Sequence, residues 1–375
     1  MSPYEFEVGL DLHKDFSMLA LHDTSGKCVR MDRLENNPTL LDHYFSMIHG
    51  SVRVTFESTR NWYWLADYFQ ERGIDFILSN PVLNRAIAHV HVKNDKYDAR
   101  TLAQLTRADL IAKSYVPSKP IRTLRELLYH RMRLLNMRTR LKNRIHVTLA
   151  KYNHRGPYQY IFGPHGRQWI EQCSFPPAIK HIVSDLLELI DQLNPHIATY
   201  SARIRDIVSE HPYYRILTST YGIGTIHAAT IIARVADITR FPTIEGFIRY
   251  AGLAVETRAS ADRLTHGHMS RQSDKFLRTT FVEAAHLVIR HDAGLRAFYD
   301  YLRAQKGHGC AICAVARKLA RSVYWMLRKN TTYRPRTIQL KYLPSRPVGT
   351  KHITVKRPGA ASFAALAGPD SSGSG

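Results

Sequence analysis

Four carboxylates in the first 110 residues have the type and spacing to hold metal ions. Asp11 and Glu57 each follow a predicted strand, while Asp95 and Asp98 begin a predicted helix and lie three residues apart on one face. Carboxylate oxygens from distant chain positions bind Mg²⁺, and two such ions about 4 Å apart clamp the attacking and leaving oxygens of a phosphodiester. Taken singly, such acids are more often solvated or capping. Together they predict one or two Mg²⁺ ions and phosphodiester chemistry.

Short strands alternating with helices position these acids. Period-two apolar alternation and β-branched residues predict strands over 5–11, 16–22, 27–33, 52–56 and 74–78. Helices are predicted after Asn37-Pro38, near 61–72 and over 95–110. Three meander strands followed by alternating helices and strands predict a mixed α/β sheet.

The charge balance indicates a polyanionic partner. The chain has 53 Lys and Arg against 31 Asp and Glu, a net charge of +22. Residues 1–110 are net −3, whereas 111–175 are +11, 213–330 are +10 and 331–375 are +6. Nucleic acid is therefore the leading partner. No run approaches 18 apolar residues, and the N-terminal residues lack the apolar core of a signal peptide, so we expect no membrane partner. Only four cysteines are present, too few for a disulfide framework, so we expect a cytoplasmic protein.

A basic helix is predicted over 122–151, with leucines at helical spacing. Arginine forks suit phosphate oxygens, and so basic a helix repels itself unless a polyanion lies against it, which favours nucleic-acid binding over a merely solvated face. The candidate contacts are Arg122, Arg125, Arg131, Arg133, Arg138, Arg140, Lys142 and Arg144.

A heptad seam follows an irregular stretch over 152–177 that we interpret as a loop or insertion. Apolar residues recur at alternating steps of four and three from Ile179 to Ile207, which is typical of a coiled coil. Pro195 lies inside the seam and is expected to kink or break the helix. A dimerising coiled coil is favoured over a helix packed within its own domain.

The ordered acid motifs resemble one family. Gly9-Leu10-Asp11-Leu12-His13-Lys14, Glu57-Ser58-Thr59, Asn80-Pro81 and Lys93-Asn94-Asp95-Lys96-Tyr97-Asp98-Ala99 resemble the DEDD-type transposases of insertion sequences, the serine recombinases guided by a bridge RNA. The resemblance implies an RNase H-like first domain, as in Holliday-junction resolvases. It also implies that Asp11, Glu57, Asp95 and Asp98 are the metal-binding catalytic acids.

A second module carries a candidate serine. Tyr221–Ala228 predicts a helix-hairpin-helix-like element, in which Gly222 and Gly224 let the backbone approach a phosphate. With the later Ala251-Gly252-Leu253, this resembles the second domain of the same transposases, which implies that Ser260 is the nucleophile, with Ser270 and Ser273 as other registers. Cations near a scissile phosphate stabilise developing charge. The candidates are Arg258, Arg263 and Arg271, beside Arg249.

The resemblance implies a domain order and an activity. The expected segments are a resolvase-like catalytic domain over 1–112, a basic helix, insertion and coiled coil over 113–212, a mostly helical transposase domain over 213–330, and a basic flexible tail over 331–375. The implied reaction is Mg²⁺-dependent DNA cleavage and exchange through a 5′-phosphoserine, at a composite site within one chain or shared between subunits. Implied partners are target and donor double-stranded DNA, a structured noncoding bridge RNA and homodimers joined into tetramers, at the bacterial nucleoid.

Two other functions stay open from the residues alone. A hydrolytic resolvase-like nuclease would use only the four acids and would cut DNA without rejoining it. A non-catalytic nucleic-acid-binding protein would keep its binding without Asp11 or divalent metal. Cys310 and Cys313, near His308, invite a zinc interpretation, but an amphipathic helix over 310–326 that packs two small cysteines is favoured.

Overall fold

The computed structural model describes residues 3–88, 95–260, 263–269 and 273–335. The chain divides into two compact units, Met1–Glu126 and Leu127–Gly375. The division falls inside one long helix, Lys119–Lys151. Among the described residues, no helix has the length and apolar character that crossing a membrane requires.

A five-stranded mixed sheet forms the centre of the first unit. Its order is β3-β2-β1-β4-β5; β1 pairs antiparallel with β2 and parallel with β4, which in turn pairs parallel with β5. The strands are β1 (Phe6–Leu12), β2 (Phe16–His22), β3 (Cys28–Glu35), β4 (Val52–Glu57) and β5 (Asp75–Ser79). The predicted mixed α/β sheet is confirmed, with strand bounds within two residues of the sequence pattern.

Helices connect and cover this sheet. The Asn37 side chain caps the first helix by accepting from the Thr39 N–H, and Gly73 ends the second with a left-handed φ of +64°. The helices are α1 (Pro38–Ser46), α2 (Trp62–Arg72), α3 (Pro81–Ala88), α4 (Asp95–Arg107) and the start of α5 (Lys119–Lys151). One apolar core lies under α1 and α2 and includes Leu41, Phe56, Leu65 and Phe69.

The close approach of α4 to β1 sets the position of the acids on that helix. A Cβ on Gly9 would lie 1.9 Å from the Ala99 carbonyl oxygen, so only glycine permits this packing. Farther along α4, the Thr106 hydroxyl donates to the Thr55 hydroxyl of β4 at 2.7 Å in a buried bond. The first turn of α4 is thereby held beside the carboxyl end of β1.

The second unit is mostly helical, as predicted. The structure adds an antiparallel hairpin of two strands that the sequence did not predict, and its last helix has non-helical backbone at Gly307 (φ +79°). The elements are α6 (Pro164–Gln172), α7 (Pro177–Ser209), α8 (Pro212–Thr218), α9 (Thr225–Val235), α10 (Ile244–Tyr250), β6 (Val255–Ser260), β7 (Arg263–Met269), α11 (Lys275–Val288) and α12 (Ala293–Lys329).

The heptad seam is partly covered by the chain itself. Val183, Leu186 and Ile190 of α7 are buried in a cluster with Ile145 of α5 and Ile170 of α6. This is the alternative interpretation, a helix packed within its own domain, and it corrects the expectation that these positions are free for a dimerising coiled coil. The presence of α6 also corrects the interpretation of 152–177 as an irregular loop.

Pro195 does not break α7, which continues from Pro177 to Ser209. The proline lies on the exposed face of the helix. The carbonyl that loses its N–H partner, that of Asp191, therefore lies on a face that water can reach. Of the predicted kink or break, the break is wrong for this reason.

Candidate active site

Asp11 and Glu57 occupy matching positions on neighbouring parallel strands. Leu10 of β1 pairs with Phe56 of β4, and each acid is the next residue on its strand. The carboxyl ends of parallel strands meet at one edge of a sheet, which is where α/β proteins commonly bind ligands. The Asp11 side chain is 19% exposed, so it is accessible but largely desolvated.

His13 joins the acids of β1 and α4. Its Nε2 lies 3.1 Å from Oδ2 of Asp11 and 3.4 Å from Oδ2 of Asp95. The ring stacks on Phe16 with centroids 4.5 Å apart. The sequence pattern does not assign His13 to the site; its only signal is its position two residues after Asp11, within the motif that carries the family resemblance.

The backbone at His13 is fixed by two asparagine side chains. Asn61, at the start of α2, donates from Nδ2 to the His13 carbonyl at 2.8 Å, and Asn36 donates to the same oxygen at 2.9 Å. The Asn36 amide oxygen also accepts from the buried Ser17 hydroxyl at 2.6 Å. These bonds orient the loop after β1 and with it the imidazole.

The electrostatics of Asp11 favour a bound cation. Burial raises the pKa of Asp11, and the negative charges of Asp98 and Asp95 raise it further, against the lowering effect of His13. Three like charges held near one another repel unless a cation lies between them. Asp98 therefore belongs to the same electrostatic environment as Asp11 and Asp95.

The donor atoms fit a divalent metal ion. One ligand atom each from Asp11, His13 and Asp95 can be chosen so that all lie within 4.8 Å of one another. Carboxylate oxygens suit Mg²⁺, and the added imidazole suits Mn²⁺ and other transition metals. Of the four predicted acids, Asp11 and Asp95 share this group, Asp98 lies close enough to act on Asp11, and Glu57 lies at the adjoining strand end.

Asn84 of α3 positions Glu57. Its Nδ2 donates to Oε1 of Glu57 at 3.4 Å and to the Ser79 hydroxyl at 3.0 Å, while its Oδ1 accepts from the Ala112 N–H at 3.2 Å. Asn84 is only 4% exposed, so these bonds are shielded from water. The sequence offered no signal for this residue beyond its place shortly after Asn80-Pro81.

Ser260 is the last residue of β6 and pairs with Arg263 of β7 at the end of the hairpin. Arg258 also lies on β6, opposite Thr265. Two of the predicted residues, Ser270 and Arg271, lie outside the described residues.

Comparison with known proteins identifies the family. A family model described as a transposase, of the DEDD type found in IS110, matches residues 8–154, and one described as "Transposase IS116/IS110/IS902 family" matches residues 214–300. The chain belongs to the IS110/IS116 transposase family. The first match contains all four acids of the candidate site, and the second contains the helical turn and Ser260.

Three curated relatives illustrate the similarity. The transposase for insertion sequence element IS1111A of Coxiella burnetii is 23% identical over 340 residues, which is 87% of this chain and 91% of that protein. A probable family 20 transposase of Pseudomonas aeruginosa is 26% identical over 65% of this chain and 76% of its own length. An uncharacterised IS110 protein of Streptomyces coelicolor is 30% identical, but the alignment spans only 41% of this chain and 38% of that protein.

Arg122 of this transposase is a structural residue. It is 4% exposed, its guanidinium pairs with Asp67, and Nη1 donates to the Tyr63 carbonyl at 3.2 Å. It also lies over the Trp62 ring, 5.5 Å from the centroid. The prediction that Arg122 contacts nucleic acid is corrected, because its charge is committed to α2.

The remaining candidate cations of α5 are either bonded within the second unit, half-buried or exposed. Arg131 donates to Ser201 at 2.7 Å, Arg138 to Asn194 at 2.9 Å and Lys142 to Tyr160 at 2.9 Å, so these three also hold the second unit together. Arg125 is half-buried near Tyr63. The exposed members, at a spacing of seven and four, are Arg133, Arg140 and Arg144.

The two glycines between α8 and α9 differ in role. Gly222 has a φ of +85°, and a Cβ there would lie 2.6 Å from the Ala284 carbonyl oxygen, so this glycine is needed for packing on α11. Gly224 precedes α9, and a Cβ there would meet nothing within 4 Å. The two helices and the tight turn of the predicted helix-hairpin-helix-like element are present, and of the two glycines Gly224 is the one with open space beside it.

The cysteine pair on α12 is not part of any three-ligand group among the described residues. Cys310 is exposed and Cys313 half-buried, and His308 accepts or donates a 2.7 Å bond with the Tyr299 hydroxyl. Within the described ranges, the cluster of Asp11, His13 and Asp95 is the one group with three potential metal ligands. Both cysteines lie on α12, where Cys313 is half-buried as a packing residue would be and Cys310 is exposed.

Proposed function

We propose that this transposase cleaves and exchanges DNA strands in a Mg²⁺-dependent reaction, through a 5′-phosphoserine formed on Ser260. The observation that carries the proposal is the convergence of Asp11, His13 and Asp95 at the carboxyl end of β1, inside the region that matches the DEDD-type transposase model. A mixed sheet with three meander strands supports the RNase H-like assignment of this unit.

The acids would hold the metal, and the surrounding side chains would keep them in place. Asp11 and Asp95 would supply oxygens and His13 a nitrogen, and Asp98 and Glu57 would be the further acids of the site. A bound divalent cation would neutralise charge that develops on the phosphodiester oxygens. Asn61 and Asn36 orient His13, and Asn84 orients Glu57, so the ligands are arranged before substrate arrives.

The serine step conserves phosphodiester energy. The Ser260 oxygen attacks phosphorus and loses its proton, a P–O bond to serine forms, and the P–O bond to the 3′ oxygen breaks. The departing 3′ oxygen takes up a proton. Because one phosphate ester replaces another, attack by a new 3′ hydroxyl rejoins the strands and restores the serine without ATP.

The proposed partners are DNA and RNA. The net charge of +22 and the exposed Arg133, Arg140 and Arg144 support contact with target and donor duplexes. The resemblance of the acid motifs to bridge-RNA-guided recombinases supports a structured noncoding guide RNA. Assembly of homodimers into tetramers, and a place at the bacterial nucleoid, belong to the same proposal.

The first experiment identifies the guide. The gene is expressed with its native flanking DNA, the full-length protein is purified, and the RNA that accompanies it is sequenced. We expect one discrete RNA from the adjacent noncoding DNA, whose loops define substrates for a strand-exchange assay. Only bulk cellular RNA would contradict guidance and favour a protein-only recombinase or resolvase.

The second experiment separates the three functions. With labelled DNA and Mg²⁺, Ser260→Ala should abolish covalent protein–DNA adducts, and Asp11→Asn should slow cleavage by about 10²–10³-fold. Ser209→Ala, an exposed serine on α7, is the matched control. Cleavage by Ser260→Ala without rejoining would indicate a hydrolytic nuclease. Binding without cleavage that survives Asp11→Asn and metal removal would indicate a non-catalytic protein.

A further inference from the structure

A groove on the last helix combines cations with an exposed indole. Lys318, Arg321, Trp325 and Lys329 follow one another on α12 at steps of three, four and four, which places them on one face. They line a cavity of about 490 Å³, whose other side is formed by residues 331–334, including Arg334. No predicted site residue lies in this cavity.

The segment opposite α12 is held in place by Tyr333. Its N–H donates to the Ser219 hydroxyl at 2.9 Å, and its hydroxyl donates to Oδ2 of Asp292 at 2.5 Å. Asp292 is 2% exposed and its other oxygen accepts from the Leu295 N–H, so it caps α12. The one acid of this cavity is thus already bonded twice and faces away from bulk water.

Acids compensate the charge of the groove cations only weakly. Arg321 has a 3.5 Å ion pair with Glu245, in which both side chains are well exposed and the attraction is weak. In the portion of the chain that the structure describes, no carboxylate lies within 4.0 Å of Lys318, Lys329 or Arg334. Burial lowers the pKa of Lys318, and the Arg321 charge lowers it further. The groove therefore favours an anion.

The exposed indole of Trp325 indicates which kind of anion the groove would bind. Trp325 is 43% exposed, and the Lys329 Nζ lies 5.4 Å from its ring centroid. A large flat ring exposed among cations is the arrangement on which unpaired bases stack while phosphates contact the basic groups. A duplex keeps its bases stacked inside and would leave the indole without a partner.

We propose that this groove binds a single-stranded segment of nucleic acid, with a base stacked on Trp325 and phosphates against Lys318, Arg321, Lys329 and Arg334. The proposal rests on the proposed function in one respect, that the protein acts on nucleic acid, and it adds a specific site for unpaired nucleotides. RNA and DNA single strands share this chemistry, so the test includes both.

The test measures binding of labelled 12-nucleotide single strands, oligo(U) and oligo(dT), and of a 12-base-pair duplex by fluorescence anisotropy with the full-length protein. Trp325→Ala should weaken single-strand affinity at least about fivefold, whereas Trp325→Phe, which keeps a stacking ring, should restore most of it. The double variant Lys318→Gln, Lys329→Gln should make the slope of log K against log salt concentration shallower by about 1.4, the value for two lost phosphate contacts. Arg334→Gln, a variant outside α12, should make the same slope shallower by about 0.7.

The matched control removes the same charge elsewhere. The pair Lys180→Gln and Arg205→Gln on the exposed face of α7 should leave single-strand affinity within about twofold of the wild type. Unchanged affinity and salt dependence in all groove variants would overturn the proposal, as would equal losses for duplex and single strands. Single-strand binding is measured without Mg²⁺ and needs no strand cleavage, so failure of the serine mechanism is distinguishable from failure of the groove.

Discussion

The acid cluster of the first unit and the basic groove of the second both hold like charges close together. The charges are negative in the cluster and positive in the groove. Asp11 and Asp95 are two carboxylates held near each other, with His13 between them. Lys318 and Arg321 are two cations one helical turn apart, and the nearest acid that lines their cavity is already bonded. In each case burial opposes the charge, raising the pKa of Asp11 and lowering that of Lys318.

The difference lies in which ligand each cluster fits. Compact oxygen and nitrogen donors suit a small cation, while cations strung along a helix beside an indole suit a polyanion. Charges that the fold pairs internally have a structural role, as in Arg122 with Asp67 and Arg53 with Glu7. Like charges that the fold holds together without full pairing indicate where a ligand binds.

The largest expected effect tests an internally paired charge. Arg122→Ala leaves Asp67 without its main partner and removes a guanidinium packed on two aromatic rings, so we expect a loss of about 3–5 kcal/mol. Urea denaturation followed by tryptophan fluorescence measures the change. Arg144→Ala, an exposed arginine on the same helix, should stay within about 0.5 kcal/mol of the wild type. Equal effects of the two variants would show that Arg122 is not structural.

A divalent cation should stabilise the first unit. At 100 times its dissociation constant, Mn²⁺ should add about 2.7 kcal/mol, visible as a rise in melting temperature. Asp11→Asn should abolish the rise, and His13→Ala should weaken Mn²⁺ affinity about 10–100-fold in calorimetry. Asp109→Asn, at an exposed acid of the same unit, is the control. A melting temperature of Asp11→Asn that rises with Mn²⁺ as the wild type does would contradict the metal site.

The sequence predicted the sheet and the acids because both depend on local patterns. Apolar alternation gave the five strands, and acids at element ends gave Asp11, Glu57, Asp95 and Asp98. His13 and Asn84 were missed because their contacts join segments far apart in sequence, which no local pattern records. A polar residue that only tertiary packing brings to a site cannot therefore be predicted from the sequence around it.

Arg122 and the heptad seam show the opposite limit. A count of arginines on a helix does not reveal which of them turns toward α2, and a heptad does not say whether its partner is another chain or the same one. The β6–β7 hairpin was missed because its strands mix polar, basic and histidine residues without clean alternation. Tertiary context decided all three cases.

The two glycines of the α8–α9 turn should separate packing from ligand approach. Gly222→Ala puts a Cβ against the Ala284 carbonyl at a positive φ and should cost about 1–3 kcal/mol in urea denaturation. Gly224→Ala meets no protein atom, so it should leave stability within about 1 kcal/mol. If Gly224→Ala nevertheless weakens duplex binding, the backbone there approaches the DNA; unchanged binding would remove Gly224 from the predicted interface.

The smallest expected effect has opposite signs for stability and binding. The fold lowers the pKa of Lys318 below its value in the unfolded chain. At pH 7 the lysine is charged in both states, and the charge is less favourable in the folded protein, so it reduces the free energy of unfolding. Lys318→Gln should therefore raise the free energy of unfolding at pH 7, by no more than about 0.5 kcal/mol because solvent screens a half-exposed charge. The gain should disappear as the pH approaches about 10.4, where the unfolded lysine also loses its proton. The same substitution should weaken single-strand binding in the anisotropy assay. A variant less stable than the wild type at pH 7 would show that Lys318 stabilises the free protein and is not held there for a polyanion.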